Sequence, residues 1–304
     1  MKRFNPIVVA LTATCAFAVS SYAADNILVN DTWADGDRTS TGPDGGGIDS
    51  QWFGSGASLS VPAAGDLRGT VPSGSAFWTT YFTPSGSPVT LADQEQLLIT
   101  WVFTPTTVNL NNTSQAFNLA VANTPSGSRA ISDASPGSGV YSGYSMFMNM
   151  GQTLGNASPF ALREWVVGSG ALLGTAGNWG ANGVASANLA NGAASGNHGY
   201  DGGTQYTYTM SITRNGTDLN IISTMSGGTV NGTGTMTDSV TDTSANTFAF
   251  DTFAIRPSGS ASAAGLFDTS LFRVDYFTVP EPATLTLAGL GMLGLVLAYR
   301  RPQR

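Results

Sequence analysis

A chain of 304 residues with 38 glycines and 41% hydrophobic residues has too many turn formers for long helices and enough apolar residues for a core, so β structure rather than disorder is expected. Its net charge is −7 and Lys2 is its only lysine, so nucleic acid, whose binding depends on clustered Lys and Arg, is not an expected partner. The one cysteine, Cys15, lies in an N-terminal apolar segment, which leaves the rest without disulfides, thiol nucleophiles or thiolate zinc sites.

That segment reads as a signal peptide over residues 1–23. Lys2 and Arg3 supply the positive end, Ile7 to Val19 the apolar stretch, and Ser21-Tyr22-Ala23 the small residues a signal peptidase needs, with cleavage after Ala23. Residues 24–279 suit one all-β domain by length. Seven arginines there face sixteen aspartates, Glu95 and Glu164, a net charge of −11 that suits an acidic, secreted surface.

Pro/Gly/Ser-rich turns separate predicted strands over 77–83, 96–104, 117–122, 141–150 and 160–167. Residues 171–203, dense in Gly, Ala, Asn and Ser, read as a long surface loop. The strongest hairpin follows: Tyr206, Tyr208, Met210 and Ile212 alternate with hydroxyl residues, Asn215-Gly216 suggests a type I′ turn, and Leu219 and Ile221 resume the alternation. Two further strands are predicted over 247–255 and 271–279. About ten short strands without an amphipathic helix make an all-β, two-sheet antiparallel sandwich.

The last segment, 280–304, differs in kind. Pro280-Glu281-Pro282 precedes an uncharged stretch, 284–299, and then Arg300, Arg301 and Arg304. As a helix the stretch is roughly 24 Å long, near the short limit for a membrane core of about 30 Å, and the arginines keep the far end cytoplasmic. The order Pro-Glu-Pro, short apolar helix, arginine cluster resembles the PEP-CTERM sorting signal of Gram-negative bacteria that make extracellular polysaccharide. That resemblance implies export, processing of the tail by an exosortase near Pro280, Glu281 and Pro282, an inner-membrane stage with Arg300 and Arg301 inside, and delivery to the cell surface or matrix.

Within 117–279 the order of elements resembles a concanavalin A-like, laminin G-like jelly roll, through Gly143-Tyr144-Ser145-Met146-Phe147, Tyr206-Thr207-Tyr208-Thr209-Met210, the run Phe248 to Ile255, and the closing Phe272-Arg273-Val274-Asp275. Such folds serve as carbohydrate-binding modules, adhesion domains and glycan-cleaving enzymes, so the fold does not assign the function. In such modules a calcium often ties the first loop to the last strand. The resemblance therefore implies that Asp275 could join Asp31, Asp35 and Asp37, beside Asp44 and Asp49 in the same glycine-rich loop, in a structural calcium site. The other reading of these aspartates is as turn caps.

No catalytic set is legible. Glycan hydrolysis needs two facing carboxylates, whereas Glu164 has no acidic residue within four positions and Glu95 lies just before a strand. The sole histidine, His198, falls in a glycine-rich loop. Trp52 with Phe53, Trp165, Trp179 and Tyr200 border polar, glycine-rich segments and are candidates for stacking on sugar rings, although a core or loop-anchoring ring is the commoner role for each; Trp101, in an alternating row, reads as core. The sequence thus predicts a non-enzymatic, exported protein that associates with exopolysaccharide or binds glycans. The alternative is a secreted polysaccharide-degrading enzyme with an atypical site.

Overall fold

The structure is a computed structural model that describes residues 26–39, 48–110, 113–174, 176–258 and 263–279. The signal peptide, the sorting residues Pro280 to Pro282 with Arg300 and Arg301, the apolar stretch 284–299 and Asp44 lie outside the described residues. Among those described, no helix is long and apolar enough to cross a membrane. Residues 24–278 form one compact unit.

In chain order its strands are β1 (Asn26–Asp31), β2 (Trp52–Gly54), β3 (Leu59–Ala63), β4 (Asp66–Thr70), β5 (Trp78–Tyr81), β6 (Val89–Thr90) and β7 (Gln96–Val108). Next come β8 (Phe117–Asn123), β9 (Ser138–Gly139), β10 (Ser142–Met148), β11 (Phe160–Trp165), β12 (Gly170–Ala171), β13 (Trp179–Gly180) and β14 (Ala190–Asn191). The chain then runs through β15 (Tyr206–Asn215), β16 (Asp218–Ser226), β17 (Thr235–Asp242), β18 (Ala249–Phe250), β19 (Thr252–Pro257) and β20 (Ala264–Phe277).

Two antiparallel sheets of eight strands build a jelly-roll sandwich. The first has the order β17-β16-β15-β7-β20-β4-β3, with β1 also on β20; the second has β13-β11-β10-β8-β19-β5-β2, with β14 also on β11. The first sheet is made as the sequence suggests, by alternation. On β7, Leu97, Ile99, Trp101 and Phe103 are buried while the residues between them are half-buried, and β15 and β16 repeat the pattern. The inward rows meet those of the second sheet in a core rich in aromatic rings, with Trp101 stacked on Phe103 at 3.8 Å and Phe117 on Phe267 at 4.8 Å.

The second sheet is buried on both faces. Every residue of β11, and all but one each of β8 and β10, is buried. Leu119, Val121, Met146, Phe253 and Ile255 face the main core; Ala120, Ala122, Phe147 and Ala254, alternating with them, join Tyr141, Trp165, Leu172, Leu173 and Trp179 in a second apolar cluster on the outer face.

Residues 171–203 are therefore not a free surface loop. They supply β13 and β14 to the edge strand β11 and bury Leu172, Leu173, Trp179 and Tyr200. Glycine is dense here because backbone lies directly on backbone. A Cβ on Gly180 would stand 1.8 Å from the Val184 carbonyl oxygen, and one on Gly199 the same distance from that of Gly151. The hairpin also turns differently from the expectation. Asn215 pairs with Asp218, so the central residues are Gly216 and Thr217, with positive φ at Gly216 only, the pattern of a type II′ connection.

Candidate functional site

One recess among the described residues lies beside β5, where the segment before β2 and the loop after β8 converge. It encloses about 670 Å³ between Val29, Phe53, Tyr81, Arg129, Ala130 and Ile131, among others. Phe53 and Tyr81 come from neighbouring strands and meet at 5.9 Å between ring centroids. The Arg129 guanidinium lies 4.5 Å above the Tyr81 ring. Ile48 and Ile131 stand exposed among the lining residues, Ile131 at 92%.

Two ion pairs fix one wall. Arg129 donates to Asp251 at 2.7 Å and to the Thr83 carbonyl at 2.8 Å, and Asp251, 1% exposed, also accepts the Thr124 N–H at 2.9 Å. Further along the same loop, Asp133 receives a two-pronged contact from Arg38 at 2.7 and 3.0 Å and the Gly54 N–H at 3.0 Å. The Tyr81 hydroxyl accepts the Ala130 N–H at 2.6 Å, and burial pushes its pKa up to about 12. The cleft thus presents apolar side chains and the Tyr81 ring beside a guanidinium already held by its partners.

The four aromatic residues expected to stack on sugars are not available to do so. Trp52 is 1% exposed, Trp165 4%, and Trp179 and Tyr200 0%. Trp52 donates its indole N–H to Ser50 and packs edge-on against Phe272, Trp165 and Trp179 meet in a T at 5.1 Å, and Tyr200 lies 4.7 Å from Tyr206. Of the residues flagged in the sequence, Phe53 and Asp49 line the cleft. Tyr81 lies at the end of a predicted strand, and Arg129, in a loop, carries no local signal of its role.

The proposed calcium ligands do not converge. Asp275 pairs opposite Ile27 and Asp31 opposite Phe272, so four residues of β1, about 13 Å, separate the two positions. Asp31 accepts the Trp33 N–H and the Ser50 N–H and hydroxyl, Asp37 accepts the Thr39 N–H and hydroxyl and caps its own turn, and Asp275 pairs with Arg273. Asp35 accepts the Asp37 N–H within the same loop. Among the described residues no group of three acidic, His or Cys side chains is placed to hold a metal. His198, half-buried, pairs with Asp201 at 2.8 Å.

A second recess, of about 310 Å³, opens at Glu164 between Val166, Asn182, Gly183, Ser244 and Asn246. Strand pairing sets Glu164 opposite Tyr144, whose hydroxyl donates to Asp242 at 2.7 Å from β17 of the other sheet. Sequence spacing could not show this approach of two carboxyls, because 78 residues separate them. Burial pushes the Glu164 carboxyl up to about 7, against the lowering effect of the Asn246 N–H, and the Asp242 charge adds to the rise.

An acid with a raised folded pKa holds its proton more tightly when folded. Its contribution to stability is therefore complete below its ordinary value of 4.5 and lost as pH rises through about 7. Glu164→Gln is expected to unfold at higher denaturant than the parent at pH 8.5, by on the order of 3 kcal/mol at most, and to match it near pH 4.5. Guanidinium titrations at the two pH values check this; a difference independent of pH would refute it.

Fold and site together define a jelly-roll protein with a partly aromatic cleft. The tail belongs to a known kind: residues 278–301 match the family described as the PEP-CTERM protein-sorting motif. No curated protein sequence matches the chain. Solved structures similar to it include the carbohydrate recognition domain of Emp46p in a potassium-bound form, with 8% identity over 84% of this chain and 98% of that one and a TM-score of 0.47. Peanut lectin is similar with 10% identity, 83% and 97% coverage and a TM-score of 0.43. An endo-1,3-beta-glucanase from Streptomyces sioyaensis is similar with 13% identity, 88% and 100% coverage and a TM-score of 0.41.

Proposed function

We propose that the chain is an exported, non-enzymatic protein of the cell surface or extracellular matrix, anchored briefly by its tail, processed by an exosortase, and associated with extracellular polysaccharide through the cleft at Phe53, Tyr81 and Arg129. The observation that carries the sorting half is the motif at residues 278–301, which begins where the sandwich ends. The cleft supports the binding half: its aromatic floor suits the C–H faces of sugars, and the Arg129 pair holds the donors in place before a ligand arrives. The full chain on a glycan array that includes the host's own polysaccharide tests the reading. Binding is expected, with a loss of about tenfold or more in Tyr81→Ala. An array with no bound glycan leaves only a structural role.

The second reading, a polysaccharide-degrading enzyme, has one observation in its favour. Glu164 is a carboxyl held near neutral pKa in a recess and electrostatically coupled to a second one, the arrangement from which a general acid is made. Release of reducing ends from host polysaccharide by the full chain, abolished in Glu164→Gln, would replace the first reading with this one.

A further inference from the structure

The polar groups that line the cleft at Phe53, Tyr81 and Arg129 are short of acceptors rather than of donors. Arg129 donates one N–H to Asp251 and another to the Thr83 carbonyl, while its Nε is buried without a partner. The hydroxyl of Thr83, which also lines the recess, is buried and unpartnered as well. Tyr81 uses only its oxygen. That oxygen accepts the Ala130 N–H at 2.6 Å, and the hydroxyl proton has no acceptor among the described residues. Burial pushes the pKa of this hydroxyl up to about 12, so it stays a donor at any ordinary pH.

Charge is matched within the recess. Its charged lining residues are Arg129 and Asp49, and Asp251 lies against Arg129 at 2.7 Å, so no positive charge is left uncompensated to hold an anion. The net charge of −11 over residues 24–279 opposes an anionic ligand further. Much of the remaining lining is apolar. Leu28, Val29, Ile48, Phe53, Ala130 and Ile131 contribute to it, and Ile48 and Ile131 keep 48% and 92% of their surface exposed. Branched aliphatic side chains left in water beside a recess of about 670 Å³ mark a place where a small apolar group can be buried.

Unmatched donors, balanced charge and exposed aliphatic surface together select a chemical group. A sugar hydroxyl brings a further donor along with its lone pairs, and a carboxylate or sulfate brings a charge that the recess has nothing to balance. An acyl group brings a carbonyl oxygen that only accepts, no charge, and a methyl group.

We infer, on the reading that this cleft holds the polysaccharide, that it receives the acyl substituents of a neutral chain, O-acetyl or N-acetyl. The carbonyl oxygen is taken by the Tyr81 hydroxyl and the Arg129 guanidinium, and the methyl group packs against Ile48 and Ile131. The rings of Phe53 and Tyr81 are then left for the C–H face of the sugar that carries the substituent. Selectivity lies in the substituent rather than in the bare chain. A chain stripped of acyl groups leaves the donors without an acceptor and the isoleucines in water.

Binding of the full chain, in detergent, to three matched pairs tests the inference. The pairs are acetylated glucomannan before and after mild alkaline deacetylation, N-acetylglucosamine oligomers against glucose oligomers of equal length and linkage, and the host's own polysaccharide before and after the same alkali. In at least one pair the acylated ligand is expected to bind at least about tenfold tighter, and which pair shows it distinguishes ester from amide. Tyr81→Phe, which keeps the ring and removes the donor, and Ile131→Ser, at an exposed position, should each bring that ratio below about threefold. Equal binding of acylated and bare ligands in all pairs overturns the inference and leaves glycan binding by the cleft standing. Binding to none of the ligands overturns that reading together with the inference. A full preference retained by both variants with unchanged melting curves overturns the inference alone, because the acyl group is then held elsewhere. If Tyr81→Phe does not fold, Ile131→Ser decides.

Discussion

Trp101→Ala is expected to lower the free energy of unfolding by about 3–5 kcal/mol, a large part of the 5–15 kcal/mol that a domain commonly has. Trp101 is at the middle of β7 with no exposed surface, stacked on Phe103 and within 6.2 to 6.4 Å of Phe117, Phe253 and Phe267, so four rings lose their common neighbour. Two of them, Phe117 and Phe253, belong to the opposite sheet, so the cavity opens between the layers, where neither sheet can close it alone. The indole N–H also donates to the Thr269 hydroxyl at 3.0 Å on β20. Trp101→Phe keeps most of the packing and gives up that hydrogen bond, and is expected to cost about 1–3 kcal/mol. Urea titrations followed by far-ultraviolet circular dichroism measure both; a Trp101→Ala loss under about 1 kcal/mol would show that the core closes around the gap.

Trp101 was legible because its strand is buried on one face only. Alternation of Leu97, Ile99, Trp101 and Phe103 states which side is inside, and the same logic recovers β15, β16 and the sandwich class. It fails on the second sheet, since a strand covered on both faces shows no alternation, and the cluster of Ala120, Phe147, Trp165 and Trp179 is invisible until the covering segment is in place. The four aromatic residues that border glycine-rich segments are all buried, which favours their reading as core or loop-anchoring rings over that as sugar platforms. The cleft itself is assembled from four segments spread between Leu28 and Ile131, and nothing local to Arg129 announces that Asp251, 122 residues on, will meet it. One sign was available. The apolar positions change phase between Phe250 and Phe253, and the predicted single strand over 247–255 breaks there into β18 and β19, with Asp251 at the break.

Asp251 at that break is where stability and the proposed binding surface meet. Its N–H donates to the Ala122 carbonyl, and its carboxylate accepts the Thr124 N–H, the Thr252 hydroxyl and one arm of Arg129. Arg129 is nearly as buried, with 9% of its side chain exposed and its Nε without a partner. Asp251→Ala therefore strands a guanidinium in a poorly solvated place and orphans the Thr124 N–H, while the Thr252 hydroxyl keeps the Thr124 hydroxyl at 2.8 Å, and a loss of about 3–5 kcal/mol is expected. The double variant Asp251→Ala/Arg129→Met should recover part of it, because the unpaired charge is gone while the Thr124 N–H still lacks its acceptor. Asp251→Asn, which retains an acceptor without the charge, should fall between. The same series separates architecture from recognition. With Arg129 no longer fixed over Tyr81, binding of a neutral glycan should weaken in Asp251→Asn at a temperature where that variant is fully folded. Unchanged affinity there would move the binding surface away from the cleft while leaving the stability argument intact.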